Sequence, residues 1–300
     1  MPEIVLQGSK SYRPAFLYRA ALNRINHRIA KENLQHFPQL AIFAFDNIGL
    51  AINLEGRYES DCLEVLSQFL TERLRIDTNS TVLDIGANIG NHAVFFSRIF
   101  SKAYAFEPNP HVFRLLNLNS DGSNIVPLNY GLSNGNSTLA FEIDPTNLGA
   151  SKVVTRDSMS QSRRSTTTIE VRRLDEDPLI RNENVSPLKV DVEGHELEVL
   201  EGGADLIETA RPVIVFEQGP ETISDGSSPV IDFLRDRNYR FFTIQSNFYL
   251  GRRYPARLLA LFMRMLFGFR KNVVSTDRFD SRFYPMIIGV PGNVNYRSVS

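Results

Sequence analysis

TVLDIGANIGN, residues 81–91, decides how this chain is read. A short apolar strand runs into Asp84, a glycine-punctuated turn follows, and a helix start comes next. Twenty-three positions after Asp84, a second apolar run, KAYAFEPNP, delivers Glu107. Strand, glycine-rich loop, helix and an acid closing the next strand make the nucleotide side of a cofactor pocket. The glycines let the backbone come close to a ligand, and the acidic side chain can accept hydrogen bonds from both ribose hydroxyls.

The dinucleotide fingerprint G-x-G-x-x-G rests a pyrophosphate on a helix N-terminus. Here the run is Asp84-Ile85-Gly86-Ala87-Asn88-Ile89-Gly90, with an acid before the turn and Asn88 where the middle glycine would stand. A carboxylate at that point repels a pyrophosphate and attracts a cationic amino-acid end. S-adenosylmethionine carries an ammonium and a sulfonium and no phosphate, so the loop favours it over NAD. Three alternatives stay open: an NAD-linked oxidoreductase on a related sheet, a non-catalytic S-adenosylmethionine-binding protein, and a strand–turn–helix that needs glycine for geometry only.

The 300 residues hold ample material for a core, as one large or two small domains. A formal net charge of −1 gives no global electrostatic reason to expect nucleic acid. The single cysteine, Cys62, excludes an intrachain disulfide and leaves the redox compartment undetermined. The N-terminal stretch MPEIVLQGSKSYRPAF lacks a signal-peptide core, and no apolar run reaches transmembrane length, so a cytoplasmic protein is expected. The N-x-S/T matches at Asn79 and Asn136 then say little.

Helical spacing predicts a helix over 14–36, and AIFAFDNIGLAINL (41–54) reads as a hairpin turning near Asp46-Asn47. After Gly56 helical period returns. From Thr81 onward strands are expected near 81–86, 102–107, 124–130, 187–192, 212–217, 239–245 and 284–290. Helices are expected near 89–100, 109–119, 195–209 and 227–237. This alternation predicts a doubly wound α/β domain with a mainly parallel seven-stranded sheet over 61–300, preceded by a helix-and-hairpin appendage over 1–60. Runs such as TVLDI, LKVDV and PVIVF are apolar throughout, as strands covered on both faces must be.

The rhythm breaks near 135–173, where STLAFEID and TTTIEVRRL read as strands around the polar stretch TRDSMSQSRRSTTT, either a lid or a plain insertion. It breaks again over 246–282, which contains RRYPARLLALFMRMLFGFRK (252–271). Arg257, Arg264 and Lys271 recur there every seven positions in an apolar background. That segment reads as buried within the protein or in a homodimer, with peripheral membrane contact as the alternative.

A second constellation lies in PLKVDVEGHELEVLE, residues 187–201, where an apolar strand ends on Asp191 and Glu193, Gly194, His195 and Glu196 follow. PVIVFEQ likewise delivers Glu217. In open α/β sheets ligands bind beyond the carboxyl ends of the strands, so these groups should face the Asp84 loop. Asp191, then His195 and Glu217, are the candidates for general base or acceptor positioning in methyl transfer to a hydroxyl. A divalent metal on Asp191 and Glu217 is a second option, though no metal site is predicted. Glu193 and Glu196 also suit the first turn of a helix for electrostatic reasons alone.

The blocks GRYES (56–60), VLDIGANIGNHAVFFSR (82–98), AFEPNPHVFRLLNLN (105–119), NYGLSN (129–134), RRLDE (172–176), LKVDVEGHELEVLEGG (188–203) and PVIVFE (212–217), in that order, resemble the FkbM family of methyltransferases. FYPMIIGVP (283–291) is a weaker echo. The resemblance implies a Rossmann-like class I methyltransferase fold that uses S-adenosylmethionine to methylate a hydroxyl of a sugar, glycan or secondary metabolite. It implies that Asp84, Gly86, Asn88 and Gly90 form the cofactor loop and that Glu107 holds the ribose. By the same likeness, Tyr58 and Glu59 lie near the methionine end, and Asp191, Glu193 and Gly194 stand at the active-site edge. His195 departs from the small residue often found at its position. The expected partner is a small-molecule, carbohydrate or lipid-linked hydroxyl acceptor.

Overall fold

A computed structural model describes residues 16–144, 152–153, 165–246 and 270–296. Its centre is an eight-stranded sheet. Strands β1 (Thr81–Ile85), β2 (Lys102–Phe106) and β3 (Ile125–Leu128) run outward in one direction, each parallel to the last. β8 (Val185–Val190) pairs with the other side of β1, and β9 (Ile214–Gln218) with β8, again parallel. β12 (Tyr284–Pro291) then inserts antiparallel between β9 and β10 (Tyr239–Ser246), and β11 (Lys271–Ser275) forms the edge. The seven expected strands are all in this sheet. The eighth, β11, is a short half-exposed edge strand whose polar KNVVS sequence gave no run to read.

Apolar residues on both faces of the strands explain the layering. Leu83, Ile85, Tyr104, Phe106, Leu188, Val190 and Phe216 pack on one face. They meet helices α6 (Glu196–Gly202), α7 (Ala204–Ala210) and α8 (Pro229–Asp236). Val82, Ala103, Ala105, Val213 and Val215 pack on the other face. Against them lie α3 (Ser60–Gln68), α4 (Asn91–Phe96) and α5 (Pro110–Asn119). The expected single helix over 195–209 is broken at Gly202-Gly203. A side chain at Gly202 would stand 2.0 Å from the Ser133 carbonyl oxygen, so the bare backbone is what lets α6 pack against the 131–133 strand.

The 41–54 hairpin is not formed. Residues 16–36 make helix α1 (Phe16–His36), and 47–55 make a second helix, α2 (Asn47–Glu55). Asp46 is its N-cap, its carboxylate accepting from the Ile48 N–H at 3.2 Å. Gly56, at φ 78°, closes it by donating to the Ile52 carbonyl at 2.8 Å. An Asp-Asn pair serves a turn or a helix cap equally well. The i, i+4 pair Ile48 and Ile52, which turns one face toward the domain, settles it for helix.

The break near 135–173 holds a second, four-stranded sheet. β5 (Ser137–Ile143) pairs antiparallel with β7 (Ser165–Arg173); β4 (Gly131–Ser133) and β6 (Lys152–Val153) flank them. Phe141, Ile169 and Val171 form its small apolar face. Most of the polar stretch 155–168, and 252–269 of the apolar basic segment, lie outside the described residues.

Asn119 ties the appendage to this frame. Its amide donates to the carbonyls of Ala41 (3.0 Å) and Ile89 (2.7 Å) and accepts from the Ala41 N–H (2.7 Å). Removing it leaves three backbone groups unpaired, so Asn119→Ala should lower the unfolding free energy by about 2 kcal/mol in urea titration. An unchanged midpoint would show that the clamp is dispensable.

Candidate active site

The strand order reverses between β1 and β8, and the chain ends of these two strands open onto a cavity of about 200 Å³. Gly86, at φ 78°, makes the turn out of β1. Its N–H and that of Ala87 donate to the Phe106 carbonyl, while the Asp191 N–H donates to Ile85. A Cβ at Gly86 would lie 1.7 Å from the Asp191 carbonyl oxygen, so this glycine is required by the junction of β1 with β8 before any ligand is considered.

Asp84 does not reach the cavity. Its side chain is 0% exposed and pairs with Lys189 Nζ at 3.0 Å. The same ammonium lies 3.3 Å from Asp191 Oδ2 and donates to the Gly86 carbonyl at 3.3 Å. Burial works against the Lys189 charge, but Asp84 and Asp191 more than offset it and hold the pKa above the usual lysine value. The expectation that Asp84 itself repels a pyrophosphate is therefore corrected: its charge is neutralised behind Lys189. Gly90, at φ 90°, caps α4 and is also off the cavity wall.

The remaining expected residues line one cavity: Tyr58, Glu59, Gly86, Asn88, Glu107, Asp191, Glu193, His195 and Glu217. Asn88 sits at φ 50°, a conformation asparagine tolerates, and its own Oδ1 accepts from the Ile89 N–H. Both oxygens of Glu107 are held by backbone donors, Asn88 N–H at 3.0 Å and Asn109 N–H at 2.8 Å. Burial pushes its pKa up to about 7, with those two N–H groups pulling the other way. Glu59 (φ 56°) and Glu193 (φ 53°) share the left-handed backbone of Asn88. Strained non-glycine backbone thus gathers on this wall, as it does where a structure fixes side chains for a ligand.

The cavity wall is of two kinds. Phe106, Leu132 and the second sheet, through Phe141, Ile169 and Val171, supply apolar surface. Glu59, Asp191, Glu193 and Glu217 supply carboxylates. Carboxylate oxygens of Asp191, Glu193 and Glu217 come within 4.8 Å of one another, a spacing that a hard divalent cation can bridge. Protonation relieves the same crowding. Burial first, then Asp191, Glu193 and Glu59, push Glu217 up to about 9, against the pull of Lys189. These groups also raise the Tyr58 hydroxyl, after burial as the leading cause.

His195 is committed elsewhere. Its Nε2 meets Ser133 Oγ at 2.9 Å and its Nδ1 lies 3.6 Å from Glu198, while burial lowers its pKa. A second imidazole, His92, also lines the cavity, with Nε2 3.3 Å from Glu59 Oε2 and its ring stacked on Tyr58. Next to it, Asn91 exchanges two hydrogen bonds with the backbone of Tyr58, at 3.1 and 3.0 Å, which holds Tyr58-Glu59 against the glycine loop. Sequence reasoning did not single out Lys189, Asn91 or His92. Lys189 left a signal, since a lysine inside the apolar run LKVDV needs a buried partner.

Residues 84–241 match the methyltransferase FkbM domain. The chain belongs to the FkbM methyltransferase family. Among curated relatives, this FkbM chain is 38% identical over 162 residues to the hexuronic acid methyltransferase AglP of Haloferax volcanii. That match covers 53% of this chain and 62% of AglP. It is 28% identical over 212 residues to methyltransferase sdnD of Sordaria araneosa, covering 58% of this chain and 82% of sdnD. A crystal structure of the methyltransferase FkbM from Methylobacillus flagellatus KT aligns with TM-score 0.36 and 19% identity, over 66% of this chain and 49% of that one. Membership in the FkbM family implies S-adenosylmethionine as methyl donor.

The crowded carboxylates give a pH test. A carboxyl whose folded pKa lies above its ordinary value of 4.5 costs stability as pH rises from there toward about 9. Glu217→Gln removes that cost. Its melting temperature should exceed the wild type's near about pH 8 and match it near about pH 4. A variant that melts lower at the higher pH would contradict the assignment.

Proposed function

We propose that this protein is an S-adenosylmethionine-dependent O-methyltransferase acting on a hydroxyl of a sugar, glycan or secondary metabolite. The observation that carries this reading is the cavity at the strand-order reversal of an FkbM domain, walled by both apolar side chains and carboxylates. Its apolar wall suits an adenine ring, and its carboxylates suit an ammonium and a sulfonium. A pyrophosphate would meet Glu59, Asp191, Glu193 and Glu217 with no unengaged cation among the described wall residues, which disfavours the NAD-linked reading. The names of AglP and sdnD, both methyltransferases, support the reaction class, and AglP's name supports a sugar acceptor.

Bound here, the cofactor would supply an electrophilic methyl group. Glu107 and the Gly86–Asn88 turn would hold its nucleoside side, and Tyr58 and Glu59 its charged end. The chain's own groups then act on the acceptor. Asp191, fixed by Lys189 and facing the cavity, accepts the hydroxyl proton as the oxygen becomes nucleophilic. Glu217, protonated at neutral pH, donates a hydrogen bond that orients the acceptor. His195 holds the Asp191–Gly194 loop to the second sheet through Ser133. A divalent cation on Asp191, Glu193 and Glu217 would replace the Glu217 proton as the means of relieving crowding.

The test is transfer of labelled methyl from S-adenosylmethionine to a panel of neutral and acidic sugars, with Asp191→Asn beside the wild type. The variant should lose at least about a hundredfold in kcat and still bind S-adenosylhomocysteine. Wild-type turnover in Asp191→Asn would remove Asp191 from the chemistry.

A further inference from the structure

The formal charge of −1 conceals a strong segregation. Residues 16–36 carry four cationic side chains (Arg19, Arg24, Arg28 and Lys31) against one acid, Glu32, and residues 252–271 carry six against none. These 41 residues hold nine net positive charges, and the other 259 hold ten net negative ones. Both cationic segments also carry large apolar side chains.

α1 shows what this means in structure. Tyr18, Leu22, Ile25 and Ile29 recur at helical spacing along one stripe. At its C-terminal end the stripe is used: Ile29 is half-buried, and Asn33 donates to the Asn53 carbonyl of α2 at 3.3 Å. Toward the N-terminus it continues exposed among the described residues, Tyr18 at 65%, Leu22 at 38% and Ile25 at 54%. No residue of the helix is buried. Arg24, Arg28 and Lys31 lie on the flank away from the stripe. On α2, Leu50 and Leu54 are exposed, and Phe45, just before it, is 93% exposed. A 21-residue helix with no fully buried residue gains little from packing for its length.

We infer that α1, with the exposed side of α2, docks on an anionic membrane surface, apolar stripe into the headgroup boundary and cations toward lipid phosphates. Charge decides for this occupant. A second copy would bring its own surplus of cations to the same face, whereas an anionic leaflet attracts them. Among the described residues no helix is long and apolar enough to cross a membrane, so the contact is interfacial. The location is coherent with the cavity. Asn47 and Ile48 of α2 line it, as do Tyr58 and Glu59 just before α3. Lys271, closing the second cationic segment, lies 2.8 Å from Cys62 of α3. The inference does not depend on the methyltransferase reading.

Flotation of the full chain with vesicles tests it. The wild type should bind vesicles of equal phosphatidylglycerol and phosphatidylcholine, and release in high salt. Binding to phosphatidylcholine alone should be about tenfold weaker. Leu22→Glu with Ile25→Glu, at exposed positions, should keep the melting temperature and lose about tenfold in partition to the anionic vesicles. Equal partition to both vesicle types, no binding to either, or undiminished binding by the double variant would overturn the inference. So would sedimentation showing a wild-type dimer that the double variant turns into a monomer, without a loss of vesicle binding.

Discussion

One buried ammonium organises the site. Lys189 rises near the carboxyl end of β8, where its neighbours along the strand are apolar, and its Nζ is shared by Asp84, Asp191 and the Gly86 carbonyl. Without it, Asp84 would be a charge with no water and no counter-ion, a state that costs several kcal/mol. With it, the ends of β1 and β8 are drawn together, and the Asp191 carboxylate is held at the rim. The cavity can therefore open at the point where the strand order reverses. The cavity's acidic residues are placed relative to that pair of strand ends.

The acid-rich wall follows from the same arrangement. Lys189 is spent on Asp84 and Asp191, so Glu217, Glu193 and Glu59 face one another across a small space with His92 as the nearby imidazole. Burial, and after it this crowding, keeps a proton on Glu217. The second sheet supplies apolar wall from residues far apart in the chain. The proposed S-adenosyl ligand, cationic at one end and flat and apolar at the other, suits both kinds of wall.

Much of this was legible in the sequence where a physical rule acts locally. TVLDI, LKVDV and PVIVF read as buried strands because both faces are covered, and the spacing from Asp84 to Glu107 placed the loop and the second strand end. Asp191, Glu193 and Glu217 were legible as acids ending apolar strands. The role of Asp84 was not. An acid before a glycine turn looks the same whether it faces a ligand or a buried lysine, and only the pairing of β1 with β8 brings Lys189 beside it. The 41–54 hairpin failed for a related reason, because Asp46-Asn47 can turn a chain or cap a helix and the choice rests on contacts of Ile48 and Ile52. His92 and Asn91 were hidden in a helix start whose other residues, AVFF, read as core. The second sheet was visible as two strands, but not its use as a cavity wall.

The central claim is that the cavity between β1 and β8 is built for an S-adenosyl group and against a pyrophosphate. Isothermal calorimetry of the wild-type chain with S-adenosylhomocysteine and with NAD, under the same conditions, tests it most directly. The account predicts saturable one-to-one binding of S-adenosylhomocysteine and no measurable heat with NAD. Binding of NAD as tight as or tighter than that of S-adenosylhomocysteine would contradict it.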